Sequence, residues 1–359
     1  MPRPRRDGGI RHPARRGEAG GQCVQAAGQG PLAGGAEPHP YLKDGRGTAD
    51  QLAAAARKYT DAGYVFVLQD VRGKGHSQGF YQAYVTDIED GYDSVEWAAG
   101  QPWSNGRVGI TGASALGVTA NSAAMANPPH LKAAYVVVAP YDRLHSSFMG
   151  GVIKEKDTVG WLKGQSVSDA EIEQTRGRVA DDVFWNRFAM STNRKYIAVP
   201  IYNVGGWYDI FNQGNTSNFT YLQNQGSKGA RGNQKLLMGP FGHGPLSGDL
   251  AYPGQDQLQG AFGNELRWFD YWLKGVDNGI MDEPPVSYFM MAGARKGRLA
   301  EEPHADLGQL AAGQPRGPLL PVARQGADHQ GSGGDRRQAQ LQIRSGQSGG
   351  HLRRRKPDL

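Results

Sequence analysis

Cysteine is all but missing from this chain: Cys23 stands alone among 359 residues. That excludes an internal disulfide framework and any zinc site built from several thiolates. No run of 18 or more apolar residues occurs, so no membrane-spanning helix is expected. The nine histidines include no H-E-x-x-H spacing, and neither a metal nor another cofactor is expected. Aromatic residues are missing from both ends, since every Phe, Trp and Tyr lies between Tyr41 and Phe289. The ends are rich in Gly, Pro, Arg, Gln and Ala without a period of two or 3.6. Such segments bury too little apolar surface to offset ordering entropy, so residues 1–39 and 293–359 are expected to be disordered. The same abrupt change of composition would follow if both ends were translated out of frame. Met1–Arg6 lacks the apolar stretch of a secretory leader, which leaves the cytoplasm as the default compartment.

The net charge of +6 belongs to those ends. Residues 1–40 hold six basic against three acidic side chains and residues 293–359 twelve against six, which leaves residues 41–292 at −3. A mildly acidic body without a basic, aromatic-interleaved patch argues against a nucleic-acid partner.

Within that body strand and helix patterns alternate. Helical spacing covers Asp50–Ala62, and Tyr64–Asp70 is a continuous apolar run of the kind buried on both faces of a parallel sheet. Thr86 followed by Glu89 reads as a capping box opening a helix over 86–100. Further strands are expected at Leu131–Val138, Ile197–Val204 and Lys235–Met238, and an amphipathic helix at about 264–274. This predicts an α/β fold with a doubly wound, mostly parallel sheet. The stretch between Ala139 and Ile197 is too long for a βα loop and carries helical signals, so it is expected to form a helical cap over the strand ends.

One serine stands at a strand-to-helix turn. Arg107–Thr111 reads as strand, Gly112-Ala113-Ser114-Ala115-Leu116-Gly117 as a tight turn of small residues, and Ala115–Ala126 as helix up to Asn127-Pro128-Pro129. Glycine falls three residues after Ser114 rather than the two of G-x-S-x-G. Two polar residues follow later strands: Asp209 in Gly205-Gly206-Trp207-Tyr208-Asp209 and His243 in Gly239-Pro240-Phe241-Gly242-His243-Gly244. The order Ser114, Asp209, His243 suits an α/β-hydrolase triad, in which imidazole removes the serine proton and a buried carboxylate fixes the imidazole.

Linked motifs extend this. Asp70-Val71-Arg72-Gly73, Gln101-Pro102-Trp103-Ser104-Asn105-Gly106, the Ser114 turn, Gly206-Trp207-Tyr208-Asp209 and Arg267–Gly275 together resemble the CocE/NonD hydrolases, which group with the Xaa-Pro dipeptidyl-peptidase-like serine hydrolases. The resemblance covers most of 40–292, and that family's turn is usually G-x-S-Y-x-G, which accounts for Gly117. It implies Ser114 as nucleophile, His243 as base, Asp209 as orienting acid, and an oxyanion hole from the Ala115 amide and the hydroxyl of Tyr41 in Pro40-Tyr41-Leu42-Lys43. It implies a small-molecule ester, amide or short peptide as substrate. An amino ester or dipeptide would need a carboxylate to hold its ammonium, for which Asp142 and Asp181 in the cap region are candidates, although a solvated or capping role suits each better. It also implies an α/β-hydrolase domain over 40–140 and 197–280 with a cap at 141–196. A jelly-roll domain normally follows in that family; here it is expected to be truncated or absent, with 281–292 as only its beginning. Two readings remain: a serine hydrolase working through an acyl-enzyme, or a truncated or frame-shifted, catalytically silent relative.

Overall fold

The computed structural model describes residues 21–24, 32–39, 56–179, 183–244, 246, 262–289 and 307–310. The chain runs through β1 (Gly21–Val24), β2 (Leu32–His39), helix α1 (residues 56–61), β3 (Tyr64–Asp70), α2 (Asp87–Ala99), β4 (Ser104–Ala113), α3 (Ala115–Ala126) and β5 (Leu131–Val137). Short elements follow: α4 (Arg143–Ser147), the hairpin β6 (Phe148–Met149) and β7 (Val152–Ile153), a π-helical turn at Glu155–Val159, α5 (Gly160–Gly164), α6 (Asp169–Gly177), α7 (Val183–Arg187) and α8 (Met190–Asn193). Then come β8 (Ile201–Gly206), α9 (Asn212–Gln225), β9 (Lys235–Gly239), α10 (Phe262–Phe269) with a π-helical extension over Asp270–Lys274, β10 (Val286–Phe289) and β11 (Leu307–Leu310).

Nine of these strands share one sheet in the order β1-β3-β2-β4-β5-β8-β9-β10-β11. The seven from β3 to β10 run parallel, and β1 and β11 flank them antiparallel. Alternation along β5 divides its side chains between two cores. Ala134 and Val136 pack with Val95, Ala120 and Leu222 from α2, α3 and α9, whereas Ala133 and Tyr135 pack with Tyr59, Trp268 and Phe269 from α1 and α10. Helices therefore cover both faces, as continuous apolar strands require. The chain moves from β2 outward to β3 and returns past β2 to β4, so its direction of progress reverses beside β4, and clefts form at the carboxyl ends of strands near such a reversal. Among the described residues no helix is long and apolar enough to cross a membrane, and no cluster of His, Cys, Asp or Glu could hold a metal ion.

Three sequence expectations differ from the structure. Among the described residues the strand at Val286–Phe289 belongs to the central sheet and not to a sandwich: it pairs in parallel with β9, where the Leu236 N–H already donates to the Pro285 carbonyl. An otherwise open sheet edge is a stronger local partner than a distant sheet. Within the atypical ends, 21–24, 32–39 and 307–310 are strands of the central sheet, because ladder hydrogen bonds need backbone groups and not aromatic side chains. The Thr86 capping box is not made: Thr86 Oγ1 donates to Asp90 Oδ2 at 2.8 Å.

Candidate active site

Ser114 occupies the junction of β4 and α3 with φ 57° and ψ −119°. Its N–H donates to the Val137 carbonyl at 2.9 Å and its carbonyl accepts from Val118 at 3.0 Å, so the strained turn is held from the neighbouring strand and from the helix it starts. Two close approaches demand glycine. A Cβ on Gly112 would collide with the Leu116 carbonyl, and one on Gly117 would lie 2.5 Å from the Ala139 Cβ. Gly117 is thus the residue at which α3 passes the end of β5. The N–H of Ala115, first in that helix, has no intrahelical acceptor by position and lies at its positive end.

Asp209 and His243 follow β8 and β9. The Tyr208 N–H donates to the Phe241 carbonyl at 3.1 Å and the Trp207 N–H to the Gly239 carbonyl at 2.8 Å, which ties the two loops together. Ser114 Oγ lies 2.7 Å from His243 Nε2, and His243 Nδ1 lies 2.7 Å from Asp209 Oδ2. The Asp209 carboxylate is fully buried, and its Oδ1 accepts the Phe211 N–H at 2.6 Å. With the His243 proton on Nδ1 toward that carboxylate, Nε2 is left as acceptor for the serine hydroxyl. Phe211 presents an edge to the imidazole at 5.2 Å between centroids. Three residues from three strand ends are thereby joined in one relay able to take a proton from a hydroxyl. The structure brings Ser114, Ala115, Asp209 and His243 together, whereas Tyr41 and Asp181 lie outside the described residues. Asp142 caps α4, accepting the N–H groups of Leu144 at 2.9 Å and His145 at 3.3 Å.

A cleft of about 260 Å³ opens over Ser114 and His243. Its walls are mostly apolar, with Val118, Trp161, Leu162, Ile210 and Phe211 among them, and it carries two charged residues, Arg143 and Asp157. Asp157 is exposed, and Arg143 is half-buried. Burial pulls the Arg143 guanidinium below its usual pKa, offset in part by nearby Tyr84 and Asp87. Burial also pushes the Asp87 carboxyl up to about 7, against the pull of Arg143. Arg143, Tyr84 and Trp161 were not singled out by sequence; the placement of Arg143 beside the cap residue Asp142, just past a strand end, was the available signal.

The model of the X-Pro dipeptidyl-peptidase (S15) family matches residues 36–181 and 167–245. Cocaine esterase of Rhodococcus sp. (strain MB1 Bresler) is 25% identical over 285 residues, 64% of this chain and 48% of that protein. A putative Xaa-Pro dipeptidyl-peptidase of Bacillus cereus is 25% identical over 270 residues, 66% of this chain and 44% of that protein. The chain thus spans about half the length of the curated relatives it matches. A crystal structure of a CocE/NonD family hydrolase from Staphylococcus aureus superposes with a TM-score of 0.63 at 22% identity, over 76% of this chain and 50% of that one, and it shows the shared α/β-hydrolase fold.

Proposed function

The chain belongs to the X-Pro dipeptidyl-peptidase (S15) family, and on that premise we propose that it hydrolyses an ester or amide bond through an acyl-enzyme on Ser114. The observation that carries this reading is the unbroken contact from Ser114 through His243 to buried Asp209. His243 Nε2 takes the hydroxyl proton as Ser114 Oγ attacks the acyl carbon, and Asp209 holds the imidazolium that forms. The charge developing on the carbonyl oxygen falls to the Ala115 N–H, with the Tyr41 hydroxyl as second donor by family resemblance. Collapse expels the alcohol or amine with the proton from His243. A water, deprotonated by the same imidazole, then attacks the ester on Ser114; the carboxylic acid leaves, and the proton returns to the serine.

In this reading residues 40–140 and 197–280 perform the chemistry, and the cap at 141–196 selects the substrate, a small ester, amide or short peptide. Cocaine esterase and the Xaa-Pro dipeptidyl-peptidase carry their substrates in their names, and a shared fold does not choose between such classes. A fluorophosphonate probe and a 4-nitrophenyl ester test the reading. Folded protein is expected to take up the probe and release 4-nitrophenol. Ser114→Ala is expected to do neither, with turnover reduced at least about 10⁴-fold while circular dichroism is unchanged. Folded wild-type protein that neither labels nor turns over supports the catalytically silent reading instead.

A further inference from the structure

Arg143 is a cation placed where the proposed chemistry has no use for one. It lines the same cleft as Ser114 and His243, among apolar walls. Its guanidinium carbon lies 4.7 Å from the Tyr84 ring centre and 5.7 Å from those of both Trp185 and Phe188. Tyr84 is stacked in turn on Trp161, with ring centres 5.0 Å apart and planes 11° from parallel, and Trp161 also lines the cleft. Tyr84 itself holds φ 62°, a left-handed backbone that a bulky side chain rarely adopts. The stack is thus held in place at a cost in backbone strain, and it fixes the arginine.

Contacts to aromatic faces take up the flat side of a guanidinium and leave its N–H edge open. Along that edge Nη1 donates to the Ala83 carbonyl at 3.2 Å. Among the described residues no carboxylate lies within ion-pair distance of Arg143; Asp87 acts on it only through its field. Apart from the Ala83 carbonyl, no hydrogen-bond acceptor engages the guanidinium among the described residues, so the rest of its half-buried N–H edge is open to a group bound in the cleft. The group matching a planar fork of N–H donors is a carboxylate.

We propose that Arg143 is a specificity residue of this cleft, selecting substrates that carry a carboxylate near the bond to be cleaved. The inference rests on the reading of Ser114 as nucleophile. The carboxylate can belong to the acyl group or to the leaving group, and two substrate pairs separate these cases. On the acyl side, 4-nitrophenyl hydrogen glutarate is compared with its neutral methyl ester. On the leaving-group side, 3-acetoxybenzoate is compared with methyl 3-acetoxybenzoate.

In one of the two pairs wild-type protein is expected to favour the anion by about 10-fold or more in kcat/KM, the size of a charge-assisted hydrogen bond. Arg143→Gln is expected to bring that ratio to within about threefold of unity. Arg143→Lys, which keeps the charge and loses the fork, is expected to retain part of it. Absence of an anion preference in both pairs for wild-type protein overturns the inference without need of a variant, as does a preference that survives in Arg143→Gln. If Arg143→Gln does not fold, an undiminished preference in Arg143→Lys overturns it equally, because a fork-specific contact must weaken. Hydrolysis of the neutral esters without preference sinks only the role of Arg143. Failure of wild-type protein to hydrolyse any of the four esters or to label with fluorophosphonate sinks the nucleophile itself.

Discussion

Ser114 and Val138 both hold positive φ, at 57° and 42°, side by side at the ends of β4 and β5. Neither conformation suits its side chain, least of all the β-branched valine, and both persist because the surrounding sheet over-determines them: Ser114 donates to Val137, and Val138 to Val204 at 2.7 Å. Asp87 stores a different kind of strain. Its carboxyl, raised by burial from 3.8 to about 7, keeps its proton in the folded chain over a range where the unfolded chain has lost it. Stability should therefore fall as pH rises from about 4 to about 7, with the full penalty above that window. Asp87→Asn is expected to match wild type near pH 4 and to exceed it at pH 8 by about 2–4 kcal/mol, from the free energy per pKa unit. Thermal melts at the two pH values check this, and an equal gap at both would show that Asp87 is not titrating in the window.

Secondary-structure elements show where local signals win and where neighbours override them. Ser168 and Glu171 form a complete capping box at α6, with the Ser168 hydroxyl accepting the Glu171 N–H at 3.3 Å. The same spacing at Thr86 and Glu89 does not, because Asp90, already held by Arg72, takes the Thr86 hydroxyl instead. Pairing with Arg72 is a long-range event that no window around Thr86 reveals. The helix expected near 264–274 is present, but its buried anchor was invisible in sequence. Glu265 is fully enclosed, bonded to Lys58 Nζ and the Tyr59 hydroxyl at 2.8 Å each and to the Thr111 hydroxyl. It fastens α10 to α1 and to β4, the strand that delivers Ser114. Glu265→Ala should cost about 2–4 kcal/mol, because three charge-assisted hydrogen bonds to a buried carboxylate are lost. Urea denaturation checks this, and a loss below about 1 kcal/mol would place Glu265 outside the anchor.

At the scale of the whole molecule, every described residue falls within Met1–Gly313, the first of two contact units. The sheet order, the position of Ser114 beside a reversal of strand progression, and the convergence of three distant loops are properties of the assembled sheet alone.

The sequence by itself determined the alternation of strand and helix, and the three residues that meet at the strand ends. Apolar runs, small residues around Ser114 and polar residues just past strands are local patterns, and local patterns survive in a linear text. Tertiary structure decided what fills the space around those residues. It turned Val286–Phe289 into an inner strand of the central sheet, made Asp142 a helix cap, and set Arg143 in the cleft behind an aromatic stack. Each depends on contacts between segments far apart in the chain, and the free energy of such contacts is set by geometry that no short window of sequence contains.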